Sequence, residues 1–426
     1  QNLSYLELMV AEIICVGTEL LLGDILNSNA QFLGQQLAQL GIPHYYQSVV
    51  GDNRERLKKV IAIASERSQL LIFTGGLGPT PDDLTVETIA DFFGFPLIER
   101  PEIIEDITQK FNQRGRVMSA SNRKQALIPQ GAEILANLTG TAPGIIWKPR
   151  GDGLTILTFP GVPAELYQMW SDVAIPYLKN NNWCQGIIQS CTLKFWGIAE
   201  STLAEKVADF LYLKNPTVAP YANHGEVKLR ISARADSPEI AQQLITPIET
   251  QLREIAGLDC YGANDQTLAS VVGELLQQHQ ATLSVAESCT GGGLGHILTQ
   301  IPGSSEYFLG GVIAYNNRVK ASLLNVNLDD LEEYGAVSAV VAEQMAIGVK
   351  NLLQTNWGLS ITGIAGPGGG TTTKPVGLVY IGLATPQGSV ESLECRFGEK
   401  RSRDWIRRVS SSTALDLLRR HLLGKG

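Results

Sequence analysis

The chain has 426 residues, 44% of them hydrophobic, with 34 Lys and Arg against 42 Asp and Glu and a formal net charge of −8. That length exceeds what a single hydrophobic core serves and predicts two or three domains. The acidic balance argues against a nucleic-acid binder that relies on bulk positive charge, and no apolar run is long enough to span a bilayer as a helix.

Residues before Met9 read as an extension ahead of the natural start. Residues 12–16 form an opening strand and 17–24 a turn, and Asn27-Ser28-Asn29 begins an amphipathic helix that ends at Gly41. The apolar run 70–73 is a buried strand, followed by Thr74-Gly75-Gly76-Leu77-Gly78-Pro79-Thr80-Pro81-Asp82-Asp83-Leu84-Thr85. A helix over 164–178 closes this first α/β unit, and Asn180-Asn181-Asn182 reads as a linker. A smaller α/β piece follows, with strands at 190–195 and 226–232 and helices at 200–211 and 238–255. Glycine and aspartate near residues 261–265 mark a second boundary. The last unit opens with the strand 281–285, the turn Ala286-Glu287-Ser288-Cys289-Thr290-Gly291-Gly292-Gly293 and a helix over 294–299. Then come a strand from Gly310 running into Tyr315 and Lys320, a strand from Leu359 ending in Thr362-Gly363-Ile364-Ala365-Gly366, and the strand 378–381. Six scattered cysteines without CxxC spacing, and no signal-peptide pattern, predict reduced thiols and a cytoplasmic location.

The turn at Ser288 carries the most chemistry. A hydroxyl where a strand turns into a helix faces the unpaired N–H groups of the first helical turn, which can hold a phosphate or an acyl-transfer oxyanion. Ser288 can equally be a plain helix N-cap. The loops after 310–320 and 359–370 shift the balance, because strand ends of an open α/β sheet gather at one ligand crevice. A desolvated lysine there can activate a serine, so Ser288 with Lys320 reads as nucleophile and base. Backbone N–H groups near Thr290 and Gly291 are the expected oxyanion donors. Cys289 is the rival nucleophile, since a helix N-terminus lowers a thiol pKa. His296 has no carboxylate partner nearby in sequence and reads as an ordinary polar contact. Arg396, Lys400, Arg401, Arg403, Arg407 and Arg408 form a basic cluster that is mostly a solvated helix face, with a minority reaching a ligand. In the first unit, Gly75, Gly76, Gly78 and Thr80 suit a phosphate, while Asp82 and Asp83 suit a hard divalent cation; Mg²⁺, Mn²⁺ and Co²⁺ fit equally. The same Pro-Asp-Asp is also a common turn and helix start.

Residues 286–292, Ile301-Pro302-Gly303-Ser304-Ser305, Tyr315 with Lys320, Gly335-Ala336-Val337-Ser338 and Ile361-Thr362-Gly363-Ile364-Ala365-Gly366-Pro367 together resemble the C-terminal domain of the CinA family. That domain is similar to bacterial nicotinamide mononucleotide (NMN) deamidases. The resemblance implies that Ser288 attacks the NMN carboxamide with Lys320 as base and Tyr315 beside them, without a cofactor. It also implies substrate contacts from Thr290, Gly291, Gly292, Thr362, Gly363 and Gly366, and a phosphate-facing Arg401, with Arg403 the alternative. The first unit, with Gly140-Thr141-Ala142-Pro143-Gly144 and Phe159-Pro160-Gly161-Val162-Pro163-Ala164-Glu165, resembles the family's N-terminal domain, itself similar to the three-layer MoaB/MogA-type fold. This implies metal-dependent splitting of ADP-ribose to AMP and ribose 5-phosphate, with Asp82 and Asp83 as ligands. The middle piece resembles the family's KH-like domain, but its turn Gly197-Ile198-Ala199-Glu200 lacks the GXXG that clamps nucleotides, so a spacer or dimer-forming role is expected over RNA reading.

The resulting expectation is an α/β chain with a nucleotide pyrophosphatase domain over 9–178, a KH-like domain over 183–257 and a deamidase domain over 262–424. It would act on NMN and ADP-ribose as a homodimer, without membrane or nucleic-acid partners. The alternative is a competence- or DNA-damage-associated interaction protein whose N-terminal domain binds a pterin or nucleotide without turnover.

Overall fold

The structure is a computed structural model that describes residues 9–184, 186–223 and 225–424. The leading segment expected to be an extension, residues 1–8, lies outside the described residues. The chain divides into two compact units, one built from residues up to 189 with 233–243, the other from 190–232 with 244 onwards.

In the first unit, the strands Ala11–Val16, Leu70–Thr74 and Thr155–Phe159 are buried along their whole length. Their apolar runs fit a parallel sheet covered on both faces. The sheet order is His44–Val50, Ala11–Val16, Leu70–Thr74, Thr155–Phe159, Gly144–Trp147, Glu133–Leu135, parallel across the first four and antiparallel beyond. Neighbouring residues feed opposite faces. Ile13, Ile72 and Leu157 pack with Leu33 and Trp170, whereas Ile14, Leu71 and Ile156 pack with Leu57 and Ile89. Helices thus cover both faces in three layers. The helix expected over 164–178 is instead Pro163–Met169, a π turn at Trp170–Ala174, and Ile175–Asn180. Pro176 has no N–H for the carbonyl one turn back, and the ladder widens just ahead of it.

The middle piece is a four-stranded sheet ordered Thr217–Asn223, Glu226–Ala235, Ile187–Phe195, Cys260–Ala263, with helices Glu200–Lys206 and Pro238–Ala256. The strand Thr217–Asn223 was not expected, because Pro216 and Pro220 mask it. It lies at the sheet edge, paired on one side only, which is where a sheet tolerates proline.

The C-terminal domain orders its strands Phe308–Ile313, Leu283–Glu287, Trp357–Gly363, Leu378–Ala384, Val390–Arg396. The first three run parallel and the last two antiparallel. Val285, Leu359 and Ile361 face a core shared with Val272, Leu294 and Leu415, from the helices Leu268–Gln278, Gly293–Thr299 and Arg403–Leu422. Ala286 faces the opposite core, with Val341, Met345 and Val349 of the helix Ala339–Leu353. The carboxyl ends of the three parallel strands therefore open on one edge, where Ser288, Ala314 and Ile364 follow them. Among the described residues no helix is long and apolar enough to cross a membrane.

Candidate functional site

Ser288 is the first residue past its strand. Its N–H donates to the Ile361 carbonyl at 2.9 Å, and the Ala314 N–H donates to the Glu287 carbonyl at 2.8 Å, so the turn is fixed to both neighbouring strands. Asn316 caps the helix Asn317–Leu324, which carries Lys320 back under the sheet edge. Lys320 is 1% exposed. Its Nζ lies 3.1 Å from Ser288 Oγ, 2.7 Å from the Ala314 carbonyl and 3.3 Å from that of Tyr315. Burial pushes the amine below its ordinary pKa of 10.5, because the charged form loses hydration. Two carbonyls can take two N–H groups of the neutral amine, leaving its lone pair towards Ser288 Oγ.

Ser288 does not cap the helix that follows. The cap is Glu287, 2% exposed, whose carboxylate accepts from the N–H groups of Gly292 (3.0 Å), Leu294 (3.0 Å) and Gly295 (2.8 Å). The Gly291 N–H donates to the Ser288 carbonyl at 3.1 Å, across a turn with φ of 58° at Gly291 and 94° at Gly292. The amides of Gly291 and Gly292 are therefore spent inside the turn. In this turn the N–H groups of Cys289 and Thr290 are not used by the carbonyls or the Glu287 carboxylate that take their neighbours, and that of Cys289 lies beside its own thiol. Glu287 was missed in the sequence because an acid one residue before the serine carries no spacing signal.

Cys289 is buried in the apolar core with Leu294 and Ile361, and burial pushes its thiol up to about 11. It presents no thiolate at neutral pH. His296 is exposed and meets Gln300 at 3.2 Å, with no carboxylate.

Two arginines of the C-terminal helix reach the same edge. Arg403 donates from Nη1 to the Gly366 carbonyl (2.7 Å) and from Nη2 to the Tyr315 hydroxyl (3.0 Å). Arg407, one turn on, donates to the Thr290 carbonyl at 2.7 Å. Arg401 lies ahead of the helix, its guanidinium 4.5 Å from the Trp405 ring centre. The structure thus brings Arg403 rather than Arg401 against the other site residues. Tyr315 touches Lys320 through its carbonyl, while its phenol is exposed beside Arg403. Thr362 is buried and donates to the Ala336 carbonyl at 2.7 Å, and Gly363 is pressed against Val379, so both shape the wall.

In the first unit, a cavity of about 450 Å³ opens at the strand ends and is lined by Gly75, Gly76, Gly78, Asp82 and Asp83. Gly75 has φ 100°, and a Cβ there would overlap the Val16 carbonyl, so only glycine fits. Glu19, Asp52 and Glu165 line the same cavity, brought from the helix Thr18–Leu22, the bend after His44–Val50 and the helix Pro163–Met169. Asn29, also missed, ties two strand ends by donating to Thr74 Oγ1 and to the Gly161 carbonyl, both at 2.9 Å. Thr80 does not line the cavity; its N–H (3.0 Å) and hydroxyl both donate to Asp83. Among the described residues no three His, Cys, Asp or Glu side chains converge on one point. Five carboxylates around one cavity would repel a diphosphate, and since no three of them converge, a hard cation here would take only one or two of these oxygens and complete its shell with phosphate oxygens and water.

Three family models match the chain in succession: "Probable molybdopterin binding domain" over residues 12–180, "Damage-inducible protein CinA KH domain" over 190–262, and "CinA C-terminal domain" over 265–422. A "CinA-like protein" of Nostoc punctiforme is 72% identical over 415 residues, covering 97% of this chain and all of the relative. One of Trichodesmium erythraeum is 70% identical over 414 residues, 97% of each chain. Among solved structures, the competence/damage inducible protein CihA from Agrobacterium tumefaciens is 40% identical, with a TM-score of 0.35, over 35% of this chain and 91% of that one.

Proposed function

The chain belongs to the CinA family, and from that premise we propose that its C-terminal domain hydrolyses the carboxamide of nicotinamide mononucleotide. The observation that carries the reading is the buried Lys320 amine 3.1 Å from Ser288 Oγ, its two other contacts being carbonyl oxygens. No carboxylate is bonded to this amine, so its charged form is disfavoured and a neutral base is available beside Ser288 Oγ. Ser288 Oγ attacks the amide carbon and gives its proton to Lys320 Nζ. The carbonyl oxygen becomes an oxyanion facing the N–H groups of Cys289 and Thr290. Collapse breaks the C–N bond, and the nitrogen takes the proton from Lys320 and leaves as ammonia. Water then attacks the acyl-serine, yielding its proton through Lys320 to the departing Ser288 Oγ and releasing nicotinic acid mononucleotide. Arg403, backed by Arg407, is the cation available to the substrate phosphate, since Glu287 already fills the helix amides.

For the N-terminal domain we propose hydrolysis of ADP-ribose to AMP and ribose 5-phosphate. Asp82 would hold a divalent cation there, and the bound ion would neutralise the diphosphate oxygens. Gly75, Gly76 and Gly78 let the phosphates approach the backbone.

Ammonia release from NMN by the wild type beside Ser288→Ala tests the deamidase reading. Release by the wild type alone supports it. Release by neither refutes it and leaves the loops as binding sites of an interaction protein.

A further inference from the structure

The middle piece has no part in either reaction above, yet within the second unit it packs on two helices, Leu268–Gln278 and the C-terminal Arg403–Leu422, and its bonds to arginine side chains fall on the second. Trp196 shares a buried core with Ile406 and Val409 of that helix. Arg420, in its last turns, donates to the Trp196 carbonyl (3.3 Å), to Asp259 (3.0 Å) and to Asp416 (2.7 Å). Arg419, 2% exposed, donates to the Leu258 carbonyl and to Asp416 at 2.8 Å. A Cβ on Gly197 would lie 3.1 Å from Arg420 Nη2. The turn that lacks a nucleotide-clamping glycine pair is therefore covered by an arginine of its own chain.

The first turns of the same helix hold the Ser288 site. Arg403 and Arg407 grip the Tyr315 hydroxyl, the Gly366 carbonyl and the Thr290 carbonyl, one on each of three loops. Arg403 and Arg419 stand 16 residues apart, about 24 Å at 1.5 Å per residue. No glycine or proline interrupts the helix, and it stays continuous although Ser410 and Ser411 donate back to the Ile406 and Arg407 carbonyls. Hydrogen bonds of 2.7–3.0 Å at the site end tolerate little sliding or rotation.

We propose that the middle piece is a positioning element for the Ser288 site. By gripping Arg419 and Arg420, which Asp416 braces from within the helix, it sets the height and rotation of the helix, and thereby where Arg403 and Arg407 hold the three loops. Its kinetic consequence rests on the deamidase reading; its structural consequence does not.

The test compares the full chain with the double variant Asp259→Asn, Arg420→Met and with Arg420→Lys, by hydrogen exchange and by NMN kinetics. In the double variant, amides of 403–411 are expected to exchange at least fivefold faster, although the substituted side chains lie at the far end. KM for NMN is expected to rise at least fivefold with kcat within threefold, and Arg420→Lys to recover over half of both effects. Faster exchange confined to 416–422, with NMN constants within twofold, would overturn the proposal and leave a merely structural contact. If the double variant does not fold, Asp259→Asn alone carries the same prediction at twofold or more. If the wild type releases no ammonia from NMN, the deamidase reading falls, and exchange alone judges the positioning role.

Discussion

Replacing Lys320 with Met keeps most of the stem volume and removes the base. General-base assistance is worth roughly 10²–10⁴ in rate, or about 2.7–5.4 kcal/mol at about 1.36 kcal/mol per tenfold. The buried Nζ, with two carbonyls and Ser288 Oγ as its partners, places this loss in kcat. The pH dependence has a definite sign. Burial lowers the amine pKa, so kcat should rise with pH as the lone pair is freed and level off below the ordinary lysine value of 10.5. Lys320→Arg should lose that limb altogether, since guanidinium keeps its proton. Stability carries the same signature. Between the lowered pKa and 10.5 the unfolded chain binds more protons, so stability rises with pH across that window and is lost as pH falls through it. Lys320→Met should flatten this slope in urea midpoints measured against pH. The assay is ammonia release from saturating NMN between pH 6 and 10, for all three proteins. A Met variant within tenfold of wild type, or one that keeps the basic limb, would refute Lys320 as the base.

Cys289→Ala should retain NMN turnover within about twofold and cost on the order of 1 kcal/mol in urea unfolding, since the thiol is core and un-ionised; loss of turnover would restore the thiol as rival nucleophile. Asp82→Asn with Asp83→Asn should abolish metal-dependent release of AMP from ADP-ribose and leave ammonia release from NMN unchanged. An equal fall in both activities would contradict two separate sites. Gly75→Ala combines a positive φ with overlap on the Val16 carbonyl and should cost more than about 2 kcal/mol. A denaturation midpoint unchanged from wild type would show that the loop yields.

What the sequence made legible was local. Apolar runs such as 70–73 and 359–362 end in glycine loops, and each is a strand followed by a turn in the structure. The pairing of Ser288 with Lys320 could be anticipated because loops at neighbouring strand ends meet. The choice between Glu287 and Ser288 as helix cap could not. Adjacent residues at a strand end point to opposite faces, and which one faces the helix depends on sheet packing. Arg401 and Arg403 are likewise separated by one event. Ser402 accepts the Trp405 N–H at 3.2 Å and starts the helix there, leaving Arg401 outside and turning Arg403 and Arg407 inwards together. Glu19, Asp52 and Glu165 share a cavity only because the parallel sheet aligns elements far apart in sequence.

The carboxylate of Glu287 in the helix amides separates two tasks that glycine-loop enzymes often combine. The helix amides after Ser288 are taken by Glu287, so on the deamidase reading the substrate phosphate would be met on another element, at Arg403 and Arg407. On the same reading, a redesign for a neutral or differently charged tail would start at the helix face at 403 and 407 and would have to keep the bonds that face makes to the Gly366 and Thr290 carbonyls. Selectivity and reactivity would then be carried by two separate stretches of sequence joined by those two arginines.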